Sequence, residues 1–246
     1  MPRVSLAAAL AVIAWLAPAC GGGPAAGTLT VFAASSLTDA FTALAAAFEA
    51  GHPGIEVTVN FAGSSSLREQ VLAGAPADVF AAAAVADMDS LAAAGALAGE
   101  ARIFARNTVV IAVPAGNPAG IAGPEDFARP SLLIGLCSPE VPCGRYAREA
   151  LAAAGVTPSP DTLEPDARAL LSKIAAGELD AGIVYATDAA AAEGAVEAVV
   201  LSGPVADYPI AVLAAAAAPG SAALFVAFVL SPEGQSVLAS YGFEAP

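Results

Sequence analysis

Basic side chains are scarce in this 246-residue chain: nine Lys and Arg face 23 Asp and Glu, for a net charge of −14. A protein that grips nucleic acid needs a cationic stripe to neutralise phosphates, so that class is excluded. Lysine occurs once, as Lys173, and Ile174 follows it. A Gly-rich phosphate loop ending in Lys-Ser or Lys-Thr is therefore impossible, and with it a P-loop ATPase. Histidine also occurs once, as His52. His-clustered metal sites are ruled out, and most histidine-based catalysis would rest on that one ring. Aromatic residues make up 6% and charged residues 13%, against 57% apolar. Disorder is excluded as well, because apolar surface is ample to offset chain entropy. Most of it is Ala and Val scattered among Gly, Pro, Asp and Glu rather than repeated spans of about 20 residues, which speaks against a multi-pass membrane protein. The length is about 1.6 typical domains, enough for one large unit or two small lobes.

Residues 1–19 carry Arg3, an apolar stretch from Leu6 to Leu16, then Ala17-Pro18-Ala19 before Cys20 and Gly21-Gly22-Gly23. That is the layout of a secretory signal, too short to span a bilayer comfortably, so the mature chain is expected outside the cytoplasm. A small residue before a cysteine and a glycine tether after it resemble a lipoprotein signal. Cys20 would then be acylated and residues 20–27 would tether the protein to the outer face of the cytoplasmic membrane. Ordinary cleavage to a soluble periplasmic protein, or an uncleaved core helix, are the alternatives. Cys137 and Cys143 remain, with five residues between them, in a compartment that permits disulfides, and a bond between them is expected. A metal would need further ligands close by; a reactive thiol is the third reading.

From Thr28 onward short β-type runs alternate with Ala-rich helical ones. Strands are expected at 28–33, 55–61, 78–82, 108–113, 132–136 and 181–185, and helices at 37–50, 67–73, 144–154 and 166–176. Such alternation implies parallel βαβ units, an α/β protein. A new unit begins near Asn107. Ile210 to Leu230 is apolar for 21 residues and long enough to span, but Pro219-Gly220-Ser221 interrupts it, so strand, turn and helix are expected instead.

The strand ends carry the chemistry. The first strand runs into Ser35-Ser36 and the second into Ser64-Ser65-Ser66; Ser36 with Asp39, and Ser66 with Glu69, have capping-box spacing at helix starts. In open α/β sheets ligands bind there, where free N–H groups and the positive end of a helix dipole point outward. The fitting ligand is a small anion. Helix capping alone is the competing role for any one of these serines. Net negative charge is no obstacle, because it acts through screened water whereas dipoles act in contact.

The motifs Phe32-Ala33-Ala34-Ser35-Ser36-Leu37, Phe61-Ala62-Gly63-Ser64-Ser65-Ser66-Leu67, Gly74-Ala75-Pro76-Ala77-Asp78-Val79-Phe80, Pro139-Glu140-Val141-Pro142-Cys143-Gly144 and Gly182-Ile183-Val184-Tyr185-Ala186-Thr187-Asp188-Ala189 occur in this order. With them, and the closing Tyr241-Gly242-Phe243, the chain resembles the molybdate-binding proteins of bacterial ABC importers. The resemblance implies a two-lobed periplasmic-binding-protein fold of type II, each lobe a mixed, mainly parallel sheet flanked by helices, with 28–106 and 206–246 in one lobe and 107–205 in the other. It implies a site for molybdate, and for tungstate, made by Ser36, Ser64, Cys143, Ala167 and Tyr185. Cys143 stands where the family usually has Ala and would give its backbone N–H, as would Ala167. A Cys137–Cys143 bond would stiffen that loop. The implied partner is a membrane permease with a separate ATPase; the chain is expected to act as a monomer without cofactor, metal cation or catalytic residue.

Sulfate or phosphate are the alternative ligands. A serine hydrolase, using His52 with Asp39 or Asp78, is the remote alternative, and no Gly-x-Ser-x-Gly elbow supports it. Arg68, Arg145, Arg148 and Arg168, spaced singly on helices, read as solvated surface.

Overall fold

The structure is a computed structural model that describes residues 27–192 and 194–246. The expected signal segment 1–19, Cys20 and all but the last residue of the tether lie outside the described residues.

Strand β1 (Gly27–Ala34) is buried along Val31 to Ala34, as suits a strand with a neighbour on each edge. Helix α1 (Thr38–Gly51) turns Ala40, Phe41, Leu44, Ala45 and Phe48 onto one face. Edge strand β2 (Ile55–Ala62) alternates exposed Glu56, Thr58 and Asn60 with partly buried Val57, Val59 and Phe61. Helix α2 (Ser64–Leu72), strand β3 (Val79–Ala81) and helix α3 (Val85–Ala93) follow. A long strand, β4 (Arg102–Pro114), leads into β5 (Ile134–Cys137), α4 (Pro142–Ala153), β6 (Thr162–Glu164), α5 (Ala167–Ala175), β7 (Ala181–Tyr185), α6 (Ala186–Ala191) and β8 (Val196–Val199). The chain returns along β9 (Val205–Val212) and closes with α7 (Pro219–Leu230) and α8 (Pro232–Ser240).

The strands form one path, β2-β1-β3-β9-β4-β7-β5-β6, with β8 on the far half of β4. Parallel pairings join β1 to β2 and β3, and β5 to β6 and β7; every antiparallel pairing between these strands involves β4 or β9. Two βαβ lobes are thus joined by crossing strands. Residues Arg102–Thr108 of β4 pair with β9, whereas Val109–Ala112 pair with β7 and Ile111–Pro114 with β8. One continuous strand therefore serves both lobes, as in type II periplasmic binding proteins.

The apolar run 210–230 resolves into the end of β9, a turn and α7, which buries Ala222, Phe225 and Val229. No single helix among the described residues is long and apolar enough to cross a membrane; α7 and α8 meet at a 63° bend. Phe225 packs edge-on against Phe41 and Phe48, with ring centroids 6.2 and 5.2 Å apart. In the second lobe Gly135 and Gly182 are register partners. A Cβ on Gly182 would stand 2.8 Å from Ile174 Cδ1 and 2.9 Å from the Gly135 carbonyl, so glycine lets α5 lie close on the sheet. That approach fixes where α5 begins, and so places Ala167.

Candidate functional site

Five chain segments end at one place. β1 runs into a 3-10 turn at Ser35–Leu37, β2 into α2, the loop after β5 into α4, and β6 into α5, while Tyr185 ends β7. Between them lies a small hollow of about 210 Å³, a figure that counts the open space at its mouth. Ser36, Ser64, Cys143, Ala167 and Tyr185 all line it, each at most 6% exposed. Lysine and arginine are missing from its lining. Asp166 is present, but its Oδ1 accepts the Ala169 N–H at 3.0 Å as the N-cap of α5.

The two capping boxes expected from Ser36–Asp39 and Ser66–Glu69 do not form. α1 starts from Leu37 and α2 from Gly63, neither with a side-chain cap. α2 begins at Ser64, three residues ahead of the expected start, so Ser66 falls inside the first turn. The hydroxyls are engaged otherwise: Ser64 Oγ accepts the Ala83 N–H at 3.0 Å, and Ser36 Oγ lies 3.0 Å from the phenol oxygen of Tyr208. Ser64 and Ala167 open their helices, and Cys143 carries the first N–H of α4 because Pro142 has none. First-turn N–H groups have no intrahelical acceptor and carry the positive end of the dipole. Three such ends face the hollow, an arrangement suited to an anion.

Among the described residues three buried side-chain polar atoms lack a hydrogen-bond partner: Arg168 Nε, Asp188 Oδ1 and Tyr185 Oη. The first two face each other as an ion pair at 3.7 Å. Tyr185 Oη has no such companion. Burial, helped by the neighbouring Tyr208, Tyr146 and Asp188, holds this phenol well above its ordinary pKa, so it stays protonated and available as a donor. Burial also raises the Asp188 carboxyl to about 7, opposed by Arg168 and the Tyr185 N–H.

Residues left out of the sequence-based site close it from outside. Asp87, fully buried on α3, accepts Arg68 Nη1 from α2 at 2.8 Å and Arg145 Nη2 from α4 at 2.7 Å. Ser65 Oγ lies 2.9 Å from Asp87 Oδ1 and 2.8 Å from the Glu140 carbonyl. Arg168 pairs with Asp39 on α1. A Cβ on Gly63 would stand 2.8 Å from the Pro165 carbonyl. Arg68, Arg145 and Arg168 are thus partnered rather than merely solvated; helical spacing gives no sign of an acid 58 residues away. Tyr208 was likewise legible only as the start of a strand.

The sulfurs of Cys137 and Cys143 are joined, with Cα atoms 5.7 Å apart, so the first turn of α4 is tied to the end of β5. The parts of the hydrolase alternative are dispersed. His52 stacks on Phe48 with ring centroids 4.1 Å apart and points Nδ1 at the Phe48 carbonyl, while Asp78 accepts the N–H groups of Thr30 and Ala218.

Residues 29–244 match the bacterial extracellular solute-binding proteins, and the chain belongs to that family, one of extracytoplasmic binding proteins rather than enzymes. Within it the chain falls among the ModA proteins: the molybdate-binding protein ModA of Mycobacterium tuberculosis is 43% identical over 222 residues, covering 89% of this chain and 85% of the relative. The Azotobacter vinelandii periplasmic molybdate-binding protein shares the fold at TM-score 0.75 and 20% identity, over 89% of this chain and 99% of that one. The sulfate-binding protein SubI of Mycobacterium tuberculosis does so at 0.80 and 22%, over 89% and 86%.

Proposed function

We propose that this protein captures molybdate, and tungstate, between its two lobes outside the cytoplasm and presents the closed complex to the permease of an ABC importer. The single observation that carries the reading is the Tyr185 hydroxyl, buried against the hollow with no partner. A buried donor left unmade costs about 1–3 kcal/mol, and a bound oxyanion removes that cost. Ser36, Ser64 and the N–H groups of Cys143 and Ala167 would supply the other contacts, and the Cys137–Cys143 bond would stiffen the loop bearing one of them. The ligand would need no cofactor and no cation. The ModA relatives support molybdate, whereas the fold, shared with a sulfate binder, does not choose among oxyanions.

In this reading residues 28–106 with 206–246 form one lobe and 107–205 the other. Ligand shifts an open form toward the closed one by bonding to both. A lipid on Cys20 would hold the monomeric protein at the membrane, beside its permease. The test is a thermal-shift panel of molybdate, tungstate, sulfate and phosphate. At a hundredfold over Kd, molybdate and tungstate should each stabilise the fold by about 2.7 kcal/mol. A shift with sulfate or phosphate and none with molybdate would overturn the ligand assignment.

A further inference from the structure

Ser35, Ser36 and Ser64 line the hollow, and the two read as ligands, Ser36 and Ser64, can each serve an anion only if the hydroxyl proton points inward. For Ser64 the backbone settles the matter: the Ala83 N–H donates to Ser64 Oγ at 3.0 Å, so the serine oxygen is already an acceptor and its own proton is free. Ser36 has no such backbone donor. Its neighbour is the phenol of Tyr208, at 3.0 Å, and in a hydroxyl–hydroxyl contact either oxygen can donate.

The direction is set one step further back. Asn107, 2% exposed, sits on β4 beside the point where that strand changes partners. The Thr108 N–H donates to Asn107 Oδ1 at 2.9 Å, which fixes the amide's orientation. The amide nitrogen, which can only donate, therefore faces Thr187 Oγ1 at 2.8 Å and Tyr208 Oη at 3.5 Å. The contact from Asn107 is long, but it points a donor at the phenol, whose own proton is left for Ser36 Oγ because the adjacent Tyr185 Oη makes no hydrogen bond. All four side chains are buried, so water does not scramble the order.

We infer that Asn107 and Tyr208 are positioning residues: they polarise Ser36 through the chain Asn107 Nδ2–H to Tyr208 Oη–H to Ser36 Oγ, holding the serine proton toward the bound oxyanion. This rests on reading the hollow as an oxyanion site. It extends that reading to side chains that do not line the hollow, and it joins α6 and both crossing strands to the orientation of one donor.

A double-mutant cycle tests it, with Ser36→Ala, Tyr208→Phe and their combination, read by calorimetric titration with molybdate on the mature protein. Tyr208→Phe should lower affinity about five- to tenfold in the native background and by less than about twofold in Ser36→Ala. Equal losses in both backgrounds, or no loss in the native one, would overturn the inference and leave the molybdate reading intact. A native protein that binds no tetrahedral oxyanion would overturn both. Asn107→Asp is the second variant, for use if Tyr208→Phe does not fold. A carboxylate at 107 accepts the Tyr208 proton and reverses the chain. Affinity should then fall at least tenfold more with Ser36 present than with Ala at 36, and equal losses would again reject the inference.

Discussion

Tyr185 shows stability and binding set against each other in one atom. Its ring ends a fully buried strand and packs among Tyr146 and Tyr208, with centroids 6.3 and 5.7 Å away, yet its hydroxyl has no partner. Tyr185→Phe keeps the ring and deletes the orphan donor. The ligand-free protein should become more stable by roughly 1–3 kcal/mol, while oxyanion affinity falls roughly ten- to hundredfold. Denaturant unfolding and calorimetric titration of the same sample read the two signs. Asp188, three residues on, gives a pH signature. Its carboxyl, ordinarily near 3.8, is raised to about 7 by burial, with Arg168 and the Tyr185 N–H opposing and Asp166 and Asp39 adding. The folded state therefore holds a proton that the unfolded chain releases, and stability declines as pH climbs from 3.8 toward 7, then levels off. The decline should amount to roughly 2–4 kcal/mol, and Asp188→Asn should flatten it in melting curves taken across that range.

At the level of elements, sequence patterns were most legible where a helix or strand carries its own periodicity. α1 announces itself by Phe41, Leu44 and Phe48, and β2 by its alternation. α3 and α6 carry no such signal, since both are Ala-rich and α3 starts from Ala84 with no side-chain cap. β6, three residues long, is defined by pairing with β5 rather than by its composition. The early start of α2 escaped because Gly63, not a serine, precedes it. Of the five expected site residues, Ser36, Ser64, Cys143 and Tyr185 came from ordered motifs and Ala167 from counting back from Tyr185, whereas the contacts that close the site join side chains distant in sequence, such as Arg145 and Asp87. That pair ties α4 to α3. Arg145 is about one-third exposed, so solvent weakens the bond, but Asp87 is fully buried and keeps only Arg68 and the Ser65 hydroxyl if Arg145 is lost. Arg145→Gln should leave the molybdate on-rate within about twofold and speed release about three- to tenfold, followed by stopped-flow tyrosine fluorescence.

For the molecule as a whole, β4 is the decisive feature. Its first half pairs with β9 and its second half with β7 and β8, without a break in the strand. Two lobes usually suggest two melting units, each able to lose structure while the other persists. Here neither can let go of its sheet without stripping a central strand from its neighbour. Scanning calorimetry should accordingly give a single peak whose van't Hoff and calorimetric enthalpies agree, and hydrogen exchange should show the amides on either side of Thr108 protected to the same depth. A junction built this way is not a seam: the two halves of the molecule should come apart only together.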